Sequence, residues 1–116
     1  MNSIKLPHLA PIKFAKKTLH KELKTADVFV EFGQLPSLPM LVEAAAQSSA
    51  AFRVNDNESA YLVSLKNVKL IQKPTQMSLV VHVTDEHRLD NMRYVGFEIF
   101  QETISVATGT LVIAVQ

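Results

Sequence analysis

The chain has no cysteine, no tryptophan and only three glycines. Without cysteine there can be no disulfide framework, no thiolate nucleophile and no Cys-ligated metal. Three scattered glycines leave no phosphate-cradling loop and no Gly-x-Ser-x-Gly elbow. Excess charge is also lacking: the formal net charge is +1, which gives no electrostatic case for nucleic acid. No apolar run is long enough to span a bilayer, and the N-terminus lacks a signal-peptide apolar region. These absences predict a cytoplasmic protein. Linkers, repeats and low-complexity tracts are missing too, so residues 1–116 read as a single domain.

What is present is apolar. Hydrophobic residues make up 47% of the 116, enough for a core without covalent staples. The most informative stretch is Leu35–Phe52, Leu-Pro-Ser-Leu-Pro-Met-Leu-Val-Glu-Ala-Ala-Ala-Gln-Ser-Ser-Ala-Ala-Phe. Pro36 and Pro39 suit a loop and a first helical turn, where a missing N–H costs least. Ser37 is placed to cap, and from Met40 onward strong helix formers run without a breaker. Apolar side chains cover most of this helix's circumference, which predicts burial, and the alanines permit close approach of a sheet. Glu43 and Gln47 are the exceptions. Four residues apart, they share one face. Near a helix N-terminus the dipole favours the Glu43 charge while burial disfavours it, a combination found at functional carboxyls. The plainer alternative is a Glu–Gln pair that serves only as structural glue.

The rest reads as strands. Ile12–Leu23 fits either a helical stripe through Ile12, Ala15, Leu19 and Leu23 or a long strand guarded by lysines. Thr25-Ala26-Asp27 reads as a turn and Val28–Phe32 as a strand. Asn55–Glu58 is a polar turn. Ala60–Lys73 is extended, with a bend or bulge at Lys66-Asn67. Met77–Thr84 is β-rich, Asp85–Asn91 reads as a charged turn, and Met92–Phe100 with Thr103–Val115 forms a closing hairpin. One helix both preceded and followed by strands predicts an α+β fold, with a five- or six-stranded antiparallel sheet wrapped on a buried central helix. One helix cannot cover such a sheet, so the edges predict a homodimer through strand pairing, or a tetramer built from it.

Four pieces of sequence carry a family likeness: Leu6-Pro7-His8 with Pro11; Phe32-Gly33-Gln34-Leu35-Pro36; Met40–Gln47 with its Glu-Ala-Ala-Ala-Gln; and Lys66–Pro74. Together they resemble the β-hydroxyacyl-acyl-carrier-protein dehydratase family, of hot-dog fold, and its small dehydratase-like relatives. The resemblance implies an interface active site acting on 3-hydroxyacyl or enoyl thioesters of acyl carrier protein, in fatty acid or polyene biosynthesis, without cofactor. It places the helix carboxylate at Glu43 and the polar residue one turn later at Gln47. It also has backbone N–H groups near the helix N-terminus holding the thioester carbonyl. On that basis Gln34, Ser37, Leu38 and Gln47 are the expected substrate-binding residues. The family's loop histidine is replaced by Gln34, which is no general base. His8 matches a family histidine that usually supports structure, and is the candidate to complete proton transfer with Glu43. His82 reads as a packed or hydrogen-bonded strand residue, and His20 and His87 as exposed. No histidine spacing suits a metal.

Three functions follow as expectations: a dehydratase-like lyase; a hot-dog thioesterase in which Glu43 activates water, which needs fewer partners; or a non-catalytic binder of acyl thioesters, on acyl carrier protein or coenzyme A, or a degenerate subunit paired with an active homologue. The lysines between Lys13 and Lys24 are a solvated surface or a dock for an acidic carrier.

Overall fold

The computed structural model describes residues 12–52 and 60–115. His8, the Met1–Pro11 entry and the Asn55–Glu58 turn lie outside the described residues. Two strands come first, β1 (Ile12–His20) and β2 (Thr25–Phe32). The helix α1 (Leu38–Ser48) follows and runs into a 3₁₀ turn over Ser49–Phe52. Four strands complete the chain: β3 (Ala60–Leu70), β4 (Ser78–Leu89), β5 (Met92–Gln101) and β6 (Ile104–Val115). They form one six-stranded sheet in the order β1-β2-β4-β5-β6-β3, every pairing antiparallel.

The inner face of the sheet follows from alternation. Ala26, Val28, Val30 and Phe32 on β2 are all buried, as are Leu79, Val81 and Val83 on β4 and Val95, Phe97 and Ile99 on β5. With Val106, Leu111 and Ile113 of β6 they receive the helix through Met40, Leu41, Ala44 and Ala45. Period two on the strands meets an alanine-smoothed helix surface, so both signals end in one core. Gly109 makes room within it: a Cβ there would lie 2.7 Å from the Phe97 ring.

α1 packs on β4, β5 and β6, and the inner face of both sheet edges stays open. Phe14 and Leu19 on β1, and Leu62 and Leu65 on β3, remain at least 38% exposed. The helix is therefore buried on one side only in this chain, not all round as its composition suggests.

Several expected boundaries are corrected. Ile12–His20 is strand, and the turn that follows is Lys21–Lys24, with Lys24 at φ 56°. Thr25-Ala26-Asp27 opens β2 rather than forming a turn. The segment from Asp85 continues β4 to Leu89, and the chain reverses only at Asp90-Asn91. The irregularity at Lys66-Asn67 is present, with Asn67 at φ 54° and a register shift between Lys66 and Lys69. A second shift, at Leu62/Ser64, has no sequence signal. No helix among the described residues is long and apolar enough to cross a membrane.

The connection from β3 to β4 is pinned by one side chain. Gln101, 7% exposed, accepts through Oε1 from the backbone N–H of Thr75 (2.7 Å) and Gln76 (3.0 Å), and its Nε2 donates to Thr75 Oγ1 (2.9 Å). Gln101→Leu removes all three bonds and strands two backbone donors. It is expected to cost about 2 kcal/mol, read as a lower urea midpoint at unchanged m-value.

Candidate functional site

The chain leaves β2 at Gly33 and reaches the helix through Leu35, the buried Pro36 and Ser37. Ser37 is extended (φ −83°, ψ 169°) and holds the N-cap position without a side-chain capping bond. The first intrahelical bond runs from Leu41 N–H to Ser37 C=O at 3.0 Å. Helix geometry leaves the first-turn N–H groups of Leu38 and Met40 without an intrahelical acceptor, and Pro39 has none to offer. Gln34 turns its amide onto the helix start, with Nε2 3.8 Å from Met40 Sδ.

Glu43 follows one turn into the helix. Its neighbours Leu41, Ala44 and Ala45 face the sheet, so residue 43 falls on the flank turned away from it, half-buried beside Gln47. Gln47 Nε2 donates to Glu43 Oε1 at 2.6 Å. This short, charge-assisted bond fixes the carboxylate rotamer. The second oxygen, Oε2, has no hydrogen-bond partner among the described residues. Beyond Gln47 a cleft of about 300 Å³ opens between α1 and β1, walled by Phe14, Ala15, Val28, Ala50 and Ala51 with Lys16 and Lys17 at its edge.

Of the expected residues, Glu43 and Gln47 are thus joined directly. Gln34, Ser37 and Leu38 cluster at the N-terminal end of the same helix, and His8 lies outside the described residues. Ser48 and Ser49 serve the helix itself, donating to the carbonyls of Ala44 (2.7 Å) and Ala46 (2.5 Å).

The other histidines are elsewhere. His82 is hydrogen-bonded as expected, but on the outer face rather than in the core: its Nδ1 lies 2.7 Å from Asp27 Oδ1, and His20 Nε2 lies 3.3 Å from Asp27 Oδ2. This trio links β1, β2 and β4 and was not legible while Asp27 read as a turn residue. It borders an open polar hollow of about 310 Å³ with Glu86 and Glu98, on the far side of the sheet from the helix. His87 stacks on Tyr94 with ring centroids 4.2 Å apart. No group of three His, Asp or Glu among the described residues is arranged to hold a metal.

Neither a family model nor a curated protein matches this sequence. Solved structures do. The chain is similar to a Bacillus halodurans protein crystallised with coenzyme A, at 19% identity over 78% of this chain and 66% of that one, with TM-score 0.61. It thus spans just under two thirds of the Bacillus protein's length. It is also similar to a thioesterase from Haemophilus influenzae (7% identity, 90% of this chain and 78% of that one, TM-score 0.68). A third similar structure is a hypothetical thioesterase protein from Streptococcus pneumoniae with coenzyme A (12% identity, 91% and 86%, TM-score 0.68). These likenesses and the single helix on a six-stranded antiparallel sheet establish the architecture: this chain has the hot-dog fold.

Proposed function

We propose that this protein is a cytoplasmic hot-dog acyl-thioester hydrolase, working as a homodimer on coenzyme A thioesters. The observation that carries this reading is the Glu43 carboxylate, held through one oxygen by Gln47 at 2.6 Å with the other unpaired among the described residues. Thioester hydrolysis needs one such group. Glu43 takes a proton from water as the oxygen attacks the carbonyl carbon. The oxyanion of the tetrahedral intermediate is stabilised by first-turn N–H groups at Leu38 and Met40. Collapse then breaks the carbon–sulfur bond, and Glu43 returns the proton to the departing thiolate.

Dehydration asks for more. It needs a base at the α-carbon as well as an acid at the hydroxyl, and the loop position for that base is Gln34, an amide turned onto Met40. The Haemophilus and Streptococcus neighbours support hydrolysis over dehydration. The two coenzyme A complexes support that carrier over acyl carrier protein.

The dimer follows from the open edge. The inner face beside β3 is apolar and uncovered, and the Glu43 flank of the helix is only half-buried in one chain. A second copy paired along β3 would supply the missing wall.

The test is a panel of purified thioesters. Free thiol release from acyl-coenzyme A is the expected result. Interconversion of 3-hydroxyacyl and enoyl thioesters without thiol release would replace this reading with the dehydratase one, and tight binding without turnover would leave a non-catalytic binder.

A further inference from the structure

β1 changes face halfway along. Its register against β2 pairs Ile12 with Phe32 and Phe14 with Val30, then Lys16 with Phe29, Lys17 with Val28 and Leu19 with Ala26. Ala15 is the extra residue. Directly opposed residues share a face of the sheet, so Lys17 and Leu19 stand on the helix-bearing side with Val28 and Ala26. Unbroken alternation from Ile12 and Phe14 would have put Lys16 and Thr18 there instead. The bulge therefore makes Lys17, rather than Lys16, the cation in a row that is otherwise Ile12, Phe14 and Leu19. Bulges next to functional sites commonly re-aim a side chain in this way.

The place it is aimed at is the cleft between β1 and the second half of α1. Its walls are apolar, from Phe14, Val28, Ala50 and Ala51, and one wall is Gln47, the residue that holds Glu43. Gln47 is four residues on from Glu43, about 6 Å along the helix axis. Neither Lys16 nor Lys17 has an acidic partner among the described residues. A cleft with apolar walls, unpaired ammonium groups at its edge and the candidate carboxylate one turn away suits a short carbon chain that ends in an anion.

We propose that this cleft receives the acyl chain, and that Lys17 selects chains ending in a carboxylate, that is, coenzyme A half-thioesters of short dicarboxylic acids. Lys17 acts in specificity and takes no part in the proton transfers. The inference rests on the reading that Glu43 faces the thioester.

The experiment has two arms, on the full-length protein and on Lys17→Met, which keeps most of the unbranched apolar stem and removes the charge. In the first, glutarate and pentanoate are titrated by calorimetry and by backbone amide shifts, a readout that needs no turnover. Wild type is expected to bind glutarate about tenfold more tightly than pentanoate, with shifts at Ala15, Val28 and Ala50, and Lys17→Met to erase the difference. In the second, kcat/KM for glutaryl- and pentanoyl-coenzyme A is expected to show the same preference and the same loss. Equal binding of the two acids, a preference that survives Lys17→Met, or shifts confined to another face would overturn the inference. So would a variant altered only in stability, because a lysine that merely guards the sheet edge or offsets the helix's C-terminal carbonyls predicts that result. If glutarate binds in the cleft and no thioester is cleaved, hydrolysis falls and the anion pocket stands. If thioesters are cleaved with no preference, the pocket falls and hydrolysis stands.

Discussion

Glu43→Gln is expected to lower thiol release from acyl-coenzyme A by a factor of about 10² to 10⁴, the usual span for loss of a positioned acid–base group. The substitution isolates chemistry from packing. The amide has the shape of the carboxylate, and its carbonyl oxygen can still accept the Gln47 Nε2–H that Glu43 Oε1 accepts at 2.6 Å. What goes is the ability to take a proton from water and return it to sulfur. Because the position is half-buried and faces away from the sheet, the free energy of unfolding should change by less than about 1 kcal/mol. Steady-state kinetics with a thiol-trapping chromophore, alongside urea unfolding, separates the two. A variant that keeps wild-type kcat would remove Glu43 from the mechanism.

The second large effect is expected at the other edge of the sheet. Leu62→Glu should convert the proposed β3-paired dimer to monomers and abolish turnover in parallel. Leu62 pairs with Ile113 and so shares the helix-bearing face, yet it is 44% exposed, as is Leu65. The two edge strands are built differently. β1 carries Lys13, Lys16 and Lys17 along its length, while β3 has no charged residue from Ala60 to Leu65. Lysine on an edge discourages pairing, and an uncharged apolar edge invites it. A glutamate at position 62 is solvated in the lone chain but buried and unpaired in the dimer, a penalty of several kcal/mol. Sedimentation should show dimer dissociation shifted by at least about a hundredfold, with circular dichroism unchanged. If Leu62→Glu stays dimeric at low concentration, β3 is not the interface.

How far the sequence could be read depended on where burial is one-sided. α1 was legible because the two prolines, the alanines and the lack of breakers agree, and β2 was legible from Val28 to Phe32 through its β-forming residues, though not in its opening Thr25-Ala26-Asp27. β1 was not. Its apolar residues sit at even positions before Ala15 and at an odd one after it, so they fit neither period two nor a true helical stripe. The apparent helical spacing from Ile12 to Leu19 is a by-product of one inserted residue. The far half of β4 was misread for a different reason. From Asp85 to Leu89 the ribbon is exposed or half-exposed, and no alternation was required of it.

At the site, the Glu43–Gln47 pair followed from helical spacing alone, and the structure adds only its length. The Lys17 orientation needs the bulge. The Asp27 trio needs a three-strand register that assembles residues 20, 27 and 82.

α1 carries its polar pair and its core contacts on opposite flanks of a single rod, with Glu43 immediately beside the fully buried Ala44. The carboxylate proposed to react therefore has no joint of its own. Any repacking beneath Leu41 or Ala45 tilts the platform on which the carboxylate rides, so under the proposed mechanism a loss of rate without loss of fold can begin on the side of the helix that faces the sheet.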